Sequence, residues 1–156
     1  MLSAALTTQL QAQIGYEFSA SQTYLGMAGY FHAQNLEGWA KFFEKQSSEE
    51  RQHALKIFHF LLETGSPAQL PAIPEAPVDY ASPLEVLEKS LEQEKRVTKA
   101  FQTMAATALA DADFTGFGFL QWFLEEQVEE EASFERLIAL VKSGINLFQA
   151  QTLLGQ

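Results

Sequence analysis

The run Gly65-Ser66-Pro67-Ala68-Gln69-Leu70-Pro71-Ala72-Ile73-Pro74-Glu75-Ala76-Pro77-Val78-Asp79-Tyr80-Ala81-Ser82-Pro83-Leu84 decides the fold. It holds all five prolines of the chain. Proline lacks a backbone donor and clashes with the preceding turn, so no regular helix crosses this stretch. On both sides of it the apolar residues keep a helical period. Residues 4–34 carry Leu6, Leu10, Ile14, Phe18, Leu25 and Ala28 at spacings of three, four and seven. After a turn signal from Asn35 to Gly38, residues 38–64 continue on Trp39, Phe42, Phe43, Ala54, Ile57, Phe58, Leu61 and Leu62, with Gly65 as the C-cap. Ser82-Pro83 supplies the N-cap and first residue of a third helix, and Glu85 and Glu88 suit the positive end of its dipole.

That third helix is predicted over 83–110 on Leu84, Leu87, Leu91, Phe101 and Leu109. Asp111-Ala112-Asp113 forms a turn, and a fourth helix follows over 114–142 on Phe117, Leu120, Phe123, Phe134, Leu137 and Val141. Ser143-Gly144 stops it, and a short fifth helix is expected over 145–154. The long helices would each extend roughly 40–46 Å at 1.5 Å per residue. The connector over 66–82 reaches about 60 Å when extended, enough to return along the whole length. The expectation is a single all-α domain over 1–156: two helical hairpins joined by one long crossover into a four-helix bundle. No run of strict alternation supports strands.

Composition narrows the function. The 156 residues include 20 acidic and 10 basic side chains, for a net charge of −10. Such a surface repels nucleic acid and anionic membrane and attracts cations. Without cysteine the chain has no disulfide, zinc–thiolate, iron–sulfur or thiol chemistry. The stretch Met1-Leu2-Ser3-Ala4-Ala5-Leu6 carries no Lys or Arg ahead of its apolar residues, unlike a signal peptide. No apolar run approaches the roughly 18–20 residues that cross a bilayer. A cytoplasmic protein with neither membrane nor nucleic-acid partners is expected.

Four acidic residues stand where a bundle interior should be apolar. Glu17 is at helical spacing from Leu10, Ile14 and Tyr24, and Glu50 shares the line of Phe43, Ala54, Ile57 and Leu61. Glu94 is seven residues from both Leu87 and Phe101, and Glu130 lies on the stripe Phe123, Phe134, Leu137. Burying one unpaired carboxylate costs several kcal/mol, and four together also repel. All four fall close to the middle of their predicted helices, so they share one layer. His53, three residues after Glu50, points the same way, and Gln127 precedes Glu130 by three. Carboxylate oxygens with a neutral imidazole suit divalent first-row metals. Two such ions neutralise four carboxylates, which points to a two-metal site.

The segments Tyr16-Glu17-Phe18-Ser19-Ala20 with Tyr24, Glu49-Glu50-Arg51-Gln52-His53, Glu94 and Phe119–Glu131 resemble the ferritin family, in its bacterial non-haem branch. The resemblance covers essentially the whole chain. It implies a ferritin-like bundle that oxidises Fe(II) with dioxygen or hydrogen peroxide and stores the ferric mineral in a homo-oligomeric cage of 24 subunits. Glu17, Glu50 and His53 would hold the first iron and Glu94 and Glu130 the second, with Glu50 bridging and Gln127 adjacent. Glu49, Glu126 and Glu129 match a third iron site. Tyr24 and Trp122 match aromatic residues beside the centre, and Tyr24 would give a further electron. Gln127 replaces the first residue of a second Glu-x-x-His, and Gln52 stands where haem-binding relatives have Met, so no haem is expected. Phe117 and Leu120 stand where animal ferritins have an acidic channel. Met27 and Met104 read as core, Glu125, Glu131 and Glu135 as solvated surface, and His32 and His59 carry no assigned role. The competing reading is a di-iron oxidase without storage; a third is a structural bundle with a coincidental acidic layer.

Overall fold

The computed structural model describes residues 2–155; Met1 and Gln156, the ends of the expected domain, lie outside the described residues. Its helices are α1 (Ala4–His32), α2 (Glu37–Glu63), α3 (Pro83–Ala110), α4 (Phe114–Lys142) and a single turn, α5 (Leu147–Ala150). No strand occurs among the described residues. Polar side chains begin the helices. Ser3 accepts from the Leu6 N–H, Ser82 from Glu85 and Asp113 from Gly116, each satisfying an otherwise orphaned amide. Asp113 also accepts from the Ser3 N–H at 2.9 Å, which ties the start of α1 to the α3–α4 turn.

The apolar core falls into two clusters. One joins the start of α1 (Leu6, Leu10), the ends of α2 (Ile57, Leu61) and α3 (Phe101, Met104), and the start of α4 (Leu120, Phe123). The other joins the end of α1 (Met27, Phe31), the starts of α2 (Trp39, Phe43) and α3 (Val86, Leu87), and the end of α4 (Phe134, Leu137). The helices therefore run up, down, down, up. Because α2 and α3 are parallel, the connector has to travel from one end of the bundle to the other.

It does so along α1. Gln11 donates to the Pro67 carbonyl, Gln22 to that of Pro74, and the rings of Tyr30 and Tyr80 meet edge to face at 5.6 Å. Between these contacts, α1 presents Gly15 to Pro71 and Gly26 to Pro77. An added Cβ at Gly15 would strike the Pro71 ring, and one at Gly26 the Pro77 carbonyl oxygen. The two glycines sit three turns apart on one face and let an extended strand of prolines lie flush on a helix.

Three expectations change. Leu25, Leu62 and Leu109 are more than half exposed. Each follows directly after a fully buried residue (Tyr24, Leu61 and Ala108), so the helix turns it out of the stripe by about 100°. The first helix stops at His32, two residues before its predicted end, because Asn35 takes a positive φ of 61° in the turn. The fifth helix is only α5 and a 3-10 turn (Gln151–Leu153). This tail is fastened to α2 by Trp39 Nε1 donating to the Leu147 carbonyl at 3.0 Å and the Gly38 N–H donating to Gln151 Oε1 at 2.6 Å.

Since the obstacle at Gly26 is backbone, relief requires the connector to lift. Gly26→Ala is expected to destabilise the fold by about 1–3 kcal/mol, the cost of overpacking a fitted contact. The checks are a lower thermal midpoint and faster proteolytic nicking within 66–82; an unchanged midpoint would refute the packing account.

Candidate metal centre

Each of the four long helices delivers one carboxylate within about three residues of its own middle. Glu17, Glu50, Glu94 and Glu130 are 0, 1, 1 and 8% exposed. Ligand atoms of Glu17, Glu50 and His53 lie within 4.8 Å of one another, and so do those of Glu50, Glu94 and Glu130. Glu50 belongs to both groups. His53 turns Nδ1 inward, 3.4 Å from Glu50 Oε2 and 3.8 Å from Glu17 Oε2, and faces Glu126 with Nε2 at 4.0 Å.

Amides brace three of the carboxylates. Gln13 Nε2 donates to Glu17 at 3.1 Å, Gln127 Nε2 to Glu94 at 3.0 Å, and Gln46 Nε2 to Glu130 at 2.9 Å. Tyr24 also donates to Glu94, at 2.5 Å. Glu50 receives no such donor. Its Oε1 and Glu17 Oε2 are buried without a hydrogen-bond partner among the described residues. Two buried carboxylate oxygens without a partner, side by side in an apolar bundle, call for a cation.

The titrations carry the same strain. Burial, reinforced by the Glu17 charge, pushes Glu50 well above the ordinary carboxylate range. Burial raises Glu94 against the opposing hydrogen bonds from Tyr24 and Gln127. Burial raises Glu130 to about 7, against the Gln46 bond. Burial would also raise Glu17, but the neighbouring His53, Glu50 and Gln13 outweigh it and hold the group low. Burial works against the His53 cation, and Glu17 more than offsets it, so His53 rises. Glu50 is the nearer carboxylate, yet Glu17 contributes most to this rise, and Glu130 and Glu126 add to it. Burial and the Glu94 charge keep the Tyr24 hydroxyl protonated.

The outer groups are looser. Glu49 and Glu126 are half-buried and Glu129 is exposed; they form no third cluster at ligand distance among the described residues. Glu49, Glu129 and Glu130 line a groove of about 930 Å³ between α2 and α4, with Lys41, Lys45 and Arg136 on its walls. Glu131, expected on the solvated face, is half-buried and accepts from Thr98 at 2.5 Å, while Glu125 and Glu135 are exposed. Trp122 packs edge-on to His53 at 5.5 Å beneath Lys56 Nζ, which sits 3.4 Å from the indole centroid. Met27 and Met104 are buried core residues.

Sequence reasoning missed Gln13 and Gln46. Both precede a buried glutamate by four residues, Gln13 before Glu17 and Gln46 before Glu50, a repeat that was legible. Lys56 gave no signal beyond lying three residues after His53.

The raised carboxylates give stability a sign. Their folded pKa values exceed the unfolded ones, so the native state binds extra protons and loses stability as pH rises from about 4.5 through 7. The lowered Glu17 contributes only below this window. The metal-free protein is expected to melt at progressively lower temperature between pH 5 and 7.5, and Glu130→Gln to flatten that slope. A slope of opposite sign in both proteins would refute the account.

Comparison with known proteins agrees with this geometry. The family model described as Ferritin-like domain matches residues 7–143. The bacterial non-heme ferritin of Staphylococcus aureus (strain MRSA252) is 41% identical over 135 residues, covering 86% of this chain and 81% of that protein. The corresponding protein of Staphylococcus haemolyticus (strain JCSC1435) is 38% identical over the same shares. An open-pore ferritin from the hyperthermophilic archaeon Archaeoglobus fulgidus superposes with a TM-score of 0.95 at 35% identity, covering 99% of this chain and 98% of that one. A bundle of this topology, a layer of glutamates at its middle and these relatives converge: the chain belongs to the ferritin family.

Proposed function

We propose that this protein is an iron-storage ferroxidase, with residues 1–156 as one subunit of a cytoplasmic cage of 24 copies. The observation that carries the reading is Glu50, a buried carboxylate common to two ligand clusters and braced by no donor. Such a group suits a bridge between two cations, since each of its oxygens can face one of them. Glu17, Glu50 and His53 take one Fe(II), and Glu50, Glu94 and Glu130 the other, with Gln127 holding Glu94. Iron here is substrate. Each ferrous ion gives one electron to dioxygen or hydrogen peroxide, and the ferric product leaves for storage. Ferrous binding displaces the protons held on Glu50, Glu94 and Glu130, so affinity increases as pH rises toward neutrality. Glu49, Glu126 and Glu129 form a third, weaker stop for iron, and the acidic side of the α2/α4 groove guides a cation past Glu130.

Anaerobic ferrous titration followed by oxygen tests the reading. Wild type should bind two or three Fe(II) per subunit and then mineralise many more on repeated additions, in a particle of cage size by light scattering. Glu50→Ala should lose about 100-fold or more of the fast oxidation rate, the scale expected when a ligand to both reacting ions is removed. Loading that stops at two or three ions would instead support a di-iron oxidase without storage, and unchanged oxidation in Glu50→Ala a purely structural layer.

Tyr24 provides a further electron. Its hydroxyl proton already points at Glu94, so electron loss to an oxidised centre can be coupled to proton transfer onto that carboxylate. Stopped-flow spectra should contain a transient tyrosyl absorption that Tyr24→Phe abolishes; its absence from wild type would remove this role.

A further inference from the structure

Opposite the α2/α4 groove, a second well of about 290 Å³ opens between α1 and α3. Gln13, Ser19 and Ala20 line it from α1, and Gln93, Arg96 and Ala100 from α3. It differs from the α2/α4 groove in kind. None of its lining residues is acidic, and its one charged lining residue is Arg96. A ferrous ion gains nothing by entering it and is repelled by the guanidinium.

The well nevertheless abuts the metal centre. Gln13, 2% exposed, lines it and donates directly to Glu17 at 3.1 Å. Gln93, the neighbour of Glu94, keeps its amide Nε2 buried without a partner among the described residues. A buried donor without an acceptor favours a guest that accepts hydrogen bonds. Gln13 and Ser19 add further polar groups, and Ala20 and Ala100 leave the space open. A guest that accepts hydrogen bonds and carries no positive charge fits, and of the reactants named above only hydrogen peroxide both donates and accepts such bonds.

We propose that the α1/α3 well is the entry site for hydrogen peroxide to the metal centre, separate from the carboxylate-lined route of iron. The proposal rests on the ferroxidase reading above. In the reaction it serves, peroxide takes one electron from each of two ferrous ions, its O–O bond breaks, and two protons complete two waters. Dioxygen, which neither donates hydrogen bonds nor accepts them well, gains nothing from the well's amides and does not depend on it.

The absence of cysteine from the chain makes a reversible plug available. Ser19→Cys is a near-isosteric change at a half-buried position without a hydrogen-bond partner among those described. Ala100→Cys approaches from the opposite wall. Each thiol is capped with a benzyl methanethiosulfonate and later released with a reductant that is removed before assay. Capping is expected to slow peroxide-driven oxidation of bound Fe(II) about tenfold, to leave dioxygen-driven oxidation and anaerobic Fe(II) stoichiometry unchanged, and to reverse on uncapping. Equal peroxide rates with and without the cap would overturn the proposal, as would equal slowing with both oxidants or loss of Fe(II) binding on capping. Wild type that binds Fe(II) but oxidises it with neither oxidant would defeat the ferroxidase reading itself, and the well with it.

Discussion

Four carboxylates held at one level inside an apolar bundle are the constraint on which the rest of this molecule depends. Each loses its hydration, and together they repel, in a medium where a charge costs several kcal/mol to bury unpaired. The chain tolerates this by raising the proton affinity of three of them and setting the fourth beside His53. The acidic layer is therefore strained by design of the sequence, and cations relieve the strain. Stability and metal affinity are two sides of one electrostatic balance: whatever makes the empty layer uncomfortable makes the filled one tight.

The supporting amides explain how a layer so poised keeps its geometry. Gln13, Gln46 and Gln127 each fix one carboxylate oxygen, and Tyr24 fixes another. An amide donor suits this place because it stabilises a carboxylate without adding a competing positive charge. Glu50 alone lacks such a brace, and it is the residue common to both clusters. Rigidity is thus given to the outer ligands and withheld from the shared one.

Much of this was legible before any coordinates. Glu17, Glu50, Glu94 and Glu130 broke an otherwise apolar pattern at matching heights, and five clustered prolines marked the crossover. What escaped was what periodicity does not encode. Leu25, Leu62 and Leu109 sat one residue beyond the buried stripe, and composition alone does not distinguish them from their neighbours. Gly15 and Gly26 carry no local signal, because their purpose depends on a strand of prolines arriving from elsewhere in the chain. Gln46 bonds across the bundle to Glu130, 84 residues away, and no local spacing announces such a partner. The fifth helix is only one turn, and its tail is held by hydrogen bonds to Gly38 and Trp39 together with the buried Ala150 and Leu154, a pattern that helical spacing does not describe.

The division of the core into two clusters has a consequence for traffic. Above and below the carboxylates the interior is plugged by fully buried aromatic and aliphatic side chains, Phe101 and Phe123 at one end and Phe31, Trp39 and Phe43 at the other. A hydrated ion cannot travel lengthwise through such seals. Passage to and from the middle has to be sideways, between neighbouring helices. A subunit sealed at both ends and grooved at its flanks exchanges with its surroundings through its sides alone.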